Sequence, residues 1–193
     1  YKTVNAATTD EINESLGDLE AVTLEITGEV TDVTTPIVLP ENAVKIGLNF
    51  ENVLATEDDE TLIVQESSSS GNTEGTELSI NIPVTEQVSS LNLDVPTTTV
   101  TVESGNYKQI IARTADNTLV LGRDVKVEEL VVKAGKVMLD GVQEIKSIVR
   151  GDGNTDDVII IVKEVCEWLK DLLNEYIREP EYLTFTAESA QTL

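Results

Sequence analysis

Short apolar runs recur at a nearly constant interval through the middle of the chain. One series occupies residues 91–93, 110–112 and 130–132, and more loosely 147–149. A second series occupies residues 100–102, 119–121, 137–139 and 159–161. Gly105, Gly122 and Gly141 follow the second run in three copies, where a residue without a Cβ permits a tight corner. A period of about 20 residues with two strand-like runs per copy predicts a β-solenoid of stacked parallel strands.

The first half of the chain repeats less regularly. Residues 21–26 and 37–39 predict a first turn of the solenoid, and residues 43–50 and 61–64 predict a second. The segment SSSSGNTEG at 67–75 is polar and rich in Ser and Gly, so it predicts a surface insertion. Strand character resumes at residues 77–82. About six turns are expected in all, in an all-β chain.

Both ends of the chain have helical patterns. Thr8 and Glu11 form a capping box, Ile12, Leu16 and Leu19 share one helical face, and Gly17 lies near the expected end. The C-terminal segment, closed by Pro180, places apolar residues at helical spacing: Val165, Leu169, Leu172, Leu173 and Tyr176. We therefore expect one structural domain, with an N-terminal capping helix in 1–20, a solenoid in 21–162 and a C-terminal capping helix with its tail in 163–193. Cys166 and Trp168 fall in the second helix, where packing is their expected role.

Composition and charge exclude several functions. The 193 residues contain 13 basic and 36 acidic side chains, which gives a net charge of -23. Such a surface repels nucleic acid and anionic lipid, so neither is an expected partner. The absence of His and the single Cys exclude a Ser-His-Asp triad and a His- or Cys-built zinc site within this chain. The purest apolar run, residues 158–162, is too short to cross a bilayer, and no transmembrane segment is predicted.

The combination resembles a family of small secreted proteins of gut bacteria. The similarity lies in TTDEINESLGDLEAVTLEITGEV at residues 8–30, a helix followed by a strand with Thr and Glu, and in the turns from 88 to 162. These proteins belong to the pectate-lyase-like class of right-handed parallel β-helices. The resemblance implies an extracellular, cell-surface or periplasmic location. Two strands per turn, where the class has three, is a departure from its pattern.

The class resemblance also implies an enzymatic alternative. β-Helix enzymes that cleave acidic polysaccharides use carboxylates clustered on neighbouring turns. The candidate acids here are spread over different strand ends and turns: Asp94, Asp116, Asp124 and Asp140. Their spacing forces no two of them together, so a non-catalytic protein is favoured over a lyase or hydrolase.

A calcium site is the second candidate. Asp152, Asn154 and Asp156 alternate as in the first half of a calcium-binding loop. However, Asp157 occupies the position where the loop requires Gly, and Lys163 occupies that of the final Glu. A polar turn is therefore the favoured interpretation, with weak calcium binding as the alternative and no other cofactor expected.

A column of basic residues is the third candidate. Arg113, Lys133 and Arg150 each end an apolar run, and the repeat alignment stacks them in one register, with Asp94 one turn below. Such a strip would bind an anionic glycan if it is open, whereas pairing with acids would make it structural. Residues 97–102 are rich in threonine, but the sequence does not predict a ladder of stacked threonines, because Val120 and Met138 occupy the equivalent sites on later turns.

The sequence thus favours a non-catalytic, exported binding or structural module. Its expected partner is an anionic polysaccharide or another surface protein. A polysaccharide-active enzyme and a spacer within a longer surface protein are the alternatives.

Overall fold

The computed structural model describes residues 1–53, 60–67, 75–83, 87–114, 118–133, 136–140, 142–151, 158–162 and 183–187. Its elements are β1 (Lys2–Asn5), α1 (Thr9–Leu16), β2 (Ala21–Val30), β3 (Ile37–Val38), β4 (Lys45–Val53), β5 (Leu62–Gln65), β6 (Thr76–Asn81), β7 (Gln87–Val88), β8 (Leu91–Val95), β9 (Thr98–Thr114), β10 (Thr118–Val132), β11 (Lys136–Leu139), β12 (Glu144–Arg150), β13 (Val158–Val162) and β14 (Leu183–Ala187).

All named strand pairs are parallel, and they form a solenoid of about six turns. One side is built by β1, β2, β4, β6, β9, β10, β11, β13 and β14, in that order. Another contains β3, β5, β8 and the later parts of β9, β10 and β12. The predicted fold class is therefore confirmed.

Each complete turn has three faces, where the sequence predicted two strands. The continuous strand β9 pairs in succession with three separate strands of the preceding turn, β6, β7 and β8. We call these the first face (98–102 in β9), the second face (104–107) and the third face (109–114), together with the residues that pair with them on other turns. The second face was missed because its sequence in β9, SGNY, contains residues that are typical of turns.

The core consists of inward columns of aliphatic side chains. On the first face one column is fully buried and runs through six turns: Leu24, Leu48, Ile80, Val102, Leu121 and Leu139. Each such side chain stabilises the fold by about 1.5–3 kcal/mol through removal from water. Every turn repeats the alternation of inward and outward residues, so the outward side chains also form columns. Successive members of one column lie about 4.8 Å apart.

One aromatic ring fills the corner between the first two faces. Tyr107 is fully buried, and its hydroxyl donates a hydrogen bond of 2.8 Å to the carbonyl oxygen of Ser104. Burial raises the pKa of the Tyr107 phenol, because the charged form would lose its hydration. Gly105 has φ of +132°, and a Cβ there would lie 2.4 Å from the Tyr107 hydroxyl oxygen.

The helix α1 closes the N-terminal end of the solenoid. As predicted, Thr8 caps it by accepting from the Glu11 N–H, and Gly17 follows the last turn. The Asn13 side chain forms hydrogen bonds with the β3 edge as a neighbouring strand would. Its Oδ1 accepts from the Val38 N–H at 2.9 Å, and its Nδ2 donates to the Pro36 carbonyl at 2.9 Å. The helix therefore satisfies backbone groups at a sheet edge.

The solenoid begins earlier and continues later than the predicted boundaries. β1 precedes α1 and pairs with β2, and β14 adds a strand within the segment 163–193. The predicted C-terminal helix, with Cys166 and Trp168, lies outside the described residues, as does most of the 67–75 segment. Of the described chain, no helix combines the length and the apolar content that a bilayer crossing needs.

The predicted alignment is wrong by one residue in the last turn. Ile148 pairs with Leu130, and Ile160 pairs with Val137, whereas the alignment placed residues 147 and 159 at those sites. The run Val158–Val162 is apolar throughout, so it contains no alternation that specifies which residues face inward.

Candidate functional site

Two members of the predicted basic column stack in register. The pairing of β8 with β9 places Asp94 beside Arg113, and the Arg113 guanidinium contacts the Asp94 carboxylate at 2.8 Å. The Lys133 N–H donates to the Ala112 carbonyl, which places Lys133 beside Arg113 on the next turn. Because a carboxylate of the chain itself neutralises Arg113, this step of the column is a structural ion pair.

Arg150 does not belong to that column. It pairs with Val132, whose side chain is buried, so Arg150 extends from an inward position. Gly151 takes the expected place instead, and a Cβ on it would lie 3.2 Å from the Lys133 Cα. The predicted strip of three stacked cations is therefore wrong, because the one-residue slip of the last turn moves Arg150 to the other side of the sheet.

Part of the other predicted chemistry falls on residues that the structure does not describe, and Asp116 is one of them. Asp152, Asn154 and Asp156 of the broken calcium loop lie outside the described residues. Over the ranges that the structure describes, no three His, Cys, Asp or Glu side chains group as a metal site would require. Of the acids considered for catalysis, Asp94 is held by Arg113.

A shallow trough crosses the outward side of the first face. It encloses about 250 Å³ along β4, β6 and β9. Ser79 and Thr101 line it, and they belong to an outward column of small residues that continues through Gly47 to Thr23. A Cβ on Gly47 would lie 3.0 Å from Thr23 Oγ1 and 3.2 Å from Ser79 Oγ, so both hydroxyls reach over this glycine. The trough exists because these positions have short side chains.

A ladder of carboxamides and carboxylates borders the trough, and its member Glu103 forms part of one wall. Asn49 Nδ2 donates to Glu25 Oε1 at 2.9 Å, and Asn81 Nδ2 donates to Asn49 Oδ1 at 2.9 Å. The same Asn81 nitrogen lies 2.6 Å from Glu103 Oε2, and the Ser104 hydroxyl donates to Asn81 Oδ1 at 3.1 Å. Each member fixes its neighbour on the next turn, so the ladder presents polar atoms in fixed positions.

The opposite wall combines one positive, one negative and one neutral side chain. Lys45, Glu77 and Thr99 occupy one outward column of β4, β6 and β9. Lys45 and Glu77 offset each other in charge, so Glu103 leaves the trough acidic. Its chemistry is therefore that of hydrogen bonding to hydroxyl groups, with no attraction for an anion.

The sequence contains a signal for this trough. The outward positions of the first face change from small and polar in the earlier turns (Gly47, Ser79 and Thr101) to apolar in the later ones (Val120 and Met138). The column could be recognised only once the register was known, because Gly47 and Ser79 lie in the irregular first half.

Comparisons with known proteins add no assignment. No protein-family model, curated protein or solved structure matches the chain. The site must therefore be interpreted from its own geometry.

Proposed function

We propose that the protein is a non-catalytic, exported β-solenoid of the pectate-lyase-like type that works as a binding module at a bacterial surface. The trough on the first face supports this proposal, because it and the ladder that borders it offer hydroxyl, carboxamide and carboxylate groups along several turns. A ligand that repeats along the stacking direction would meet the same kinds of groups every ~4.8 Å.

A neutral glycan fits the trough better than the anionic glycan expected from the sequence. The basic column that favoured an anion is interrupted at Arg150, and its Arg113 is neutralised by Asp94. The trough contains one lysine against Glu77 and Glu103. Sugar hydroxyls both donate and accept hydrogen bonds, so they suit a surface of Ser, Thr, Asn and Glu.

Depletion onto insoluble polysaccharides tests the proposal. The full chain is mixed with neutral glycan particles and, separately, with cross-linked polygalacturonate, in low and high salt, and the protein left in solution is measured. We expect binding to a neutral glycan that salt leaves unchanged, since no counterions are released. Release of reducing ends, assayed in the same tubes, would instead support the enzymatic alternative.

Filling the trough locates the site. Ser79→Trp replaces the short side chain on the trough floor and should weaken binding by about tenfold or more through steric exclusion. Lys126→Trp, at an exposed position of the second face, serves as the control. Binding that survives Ser79→Trp would exclude the trough, and salt-sensitive binding to polygalacturonate would favour an anionic ligand. A chain that binds no glycan would favour the spacer.

A further inference from the structure

The third face presents an outward surface that the proposed glycan site does not use, with a depression of about 490 Å³ along its Ser90–Glu129 flank. Its centre is a partly exposed column with four aliphatic members and one polar member: Ile63, Asn92, Ile111, Val131 and Val149. Asp94, Arg113 and Lys133 form an exposed column on one flank. On the other flank the Ser90 hydroxyl lies 3.3 Å from Gln109 Oε1, and Gln109 Nε2 donates to Glu129 Oε1 at 2.7 Å.

The charge distribution makes this region suited to contact between like molecules. Residues 1–107 contain 20 acidic and 2 basic residues, whereas residues 108–150 contain 6 acidic and 8 basic ones. Two copies of a chain with a net charge of -23 repel each other over most of their surface. They repel each other least across residues 108–150, since residues 151–193 again contain 10 acidic and 3 basic side chains.

The two flanks of the third face are complementary to each other. Consider two copies packed face to face, related by a twofold axis that runs along the stacking direction beside Val131. This rotation brings the Glu129 flank of each copy onto the Lys133 flank of the other, at the same turn, so the ion pair forms twice. The other in-plane twofold axis, centred on Ile111, would place Arg113 on Arg113. A dimer with the first axis is isologous: both copies use the same patch, and that patch is complementary to itself.

We propose that the third face is a homodimer contact, with Val131 at its centre and reciprocal Glu129–Lys133 pairs at its flanks. Five strands at ~4.8 Å spacing and a width of about 13 Å give roughly 250–300 Å² per copy, well below the ~800 Å² of a stable complex. The association is therefore weak, with a dissociation constant of about 0.1–1 mM. Such an affinity matters where copies are concentrated, as on a surface.

Charge reversal tests the contact in the full chain. Sedimentation equilibrium over about 10 µM to 1 mM should show a monomer–dimer equilibrium for the unmodified chain. Lys133→Glu and Glu129→Lys should each weaken the dimer by about tenfold or more, because each places like charges in opposition. The double variant with both substitutions should restore the dimer, since it exchanges the two flanks. Thermal unfolding of every variant verifies the fold.

Lys126→Glu is the matched control, because it makes the same change in net charge on the second face. It should leave dimerisation close to that of the unmodified chain. A monomer at the highest concentration, failure of the double variant to dimerise, or equal weakening by Lys126→Glu would each overturn the proposal. Because glycan binding depends on the first face, Lys133→Glu should bind glycan normally, so the two proposals can fail separately.

Discussion

Gly105 lies at the corner between the first and second faces, with φ of +132° and the Tyr107 ring directly above it. A methyl group there would lie 2.4 Å from the Tyr107 hydroxyl oxygen, so a buried ring or the backbone must move. Gly105→Ala should therefore lower the free energy of unfolding by about 2–4 kcal/mol, through backbone strain and overpacking combined. Urea denaturation followed by far-ultraviolet circular dichroism measures the loss.

Gly75→Ala separates the two causes. Gly75 also has a positive φ, +79°, but a Cβ there would meet nothing within 4 Å. Its substitution should cost only the backbone strain, about 1 kcal/mol. Equal losses at Gly75 and Gly105 would mean that the Tyr107 contact is unimportant.

Single residues also show which positions the sequence could predict and which it could not. Gly105 was predicted as a corner from the repeat alone, and the structure places it there. Tyr107 was not predicted as a core residue, because Ser, Gly and Asn precede it and conceal a strand. Arg150 was placed on the outward column because the repeat alignment set the run at 147–149 beside the run at 130–132. Its position depends on pairing with Val132, a contact between turns that the local sequence does not specify.

The helix α1 is the element whose role is most directly testable. Asn13 satisfies one donor and one acceptor of the β3 edge, so Asn13→Ala leaves the Val38 N–H and the Pro36 carbonyl without these partners. The change should lower the free energy of unfolding by about 1–3 kcal/mol and increase light scattering on heating, because the edge can pair with another chain.

Glu14→Ala controls for helix propensity, since it lies on the exposed side of the same helix. It should change stability by less than about 0.5 kcal/mol. If the two variants melt and aggregate alike, Asn13 does not protect the edge.

The elements differ in how far sequence could predict them. The capping box defined α1 because a helix start depends on local hydrogen bonds. Alternating strands such as 100–102, with the sequence Val-Thr-Val, were aligned correctly, since the alternation itself gives the inward side. The runs at 147–149 and 159–161 were aligned one residue off, because neither alternates. The trough was unpredictable for a related reason: it joins Lys45, Ser79 and Thr101 from three turns, and the spacing of the earlier turns is irregular.

Charge is distributed unevenly along the whole molecule, and its stability should reflect this. The 20 acidic residues within 1–107 face only 2 basic ones, so folding compresses like charges in the turns near α1. Raising the salt concentration from about 10 mM to about 150 mM shortens the screening length from about 30 Å to 8 Å. The melting temperature should therefore rise by several degrees.

The triple variant Asp18→Gln, Glu20→Gln and Glu29→Gln, at exposed positions near α1, should be more stable than the unmodified chain in low salt. That advantage should vanish in high salt, because screening already removes the repulsion. Differential scanning calorimetry at several salt concentrations measures both effects. A melting temperature that is independent of salt, or a triple variant with no advantage in low salt, would show that the acidic turns do not strain the fold.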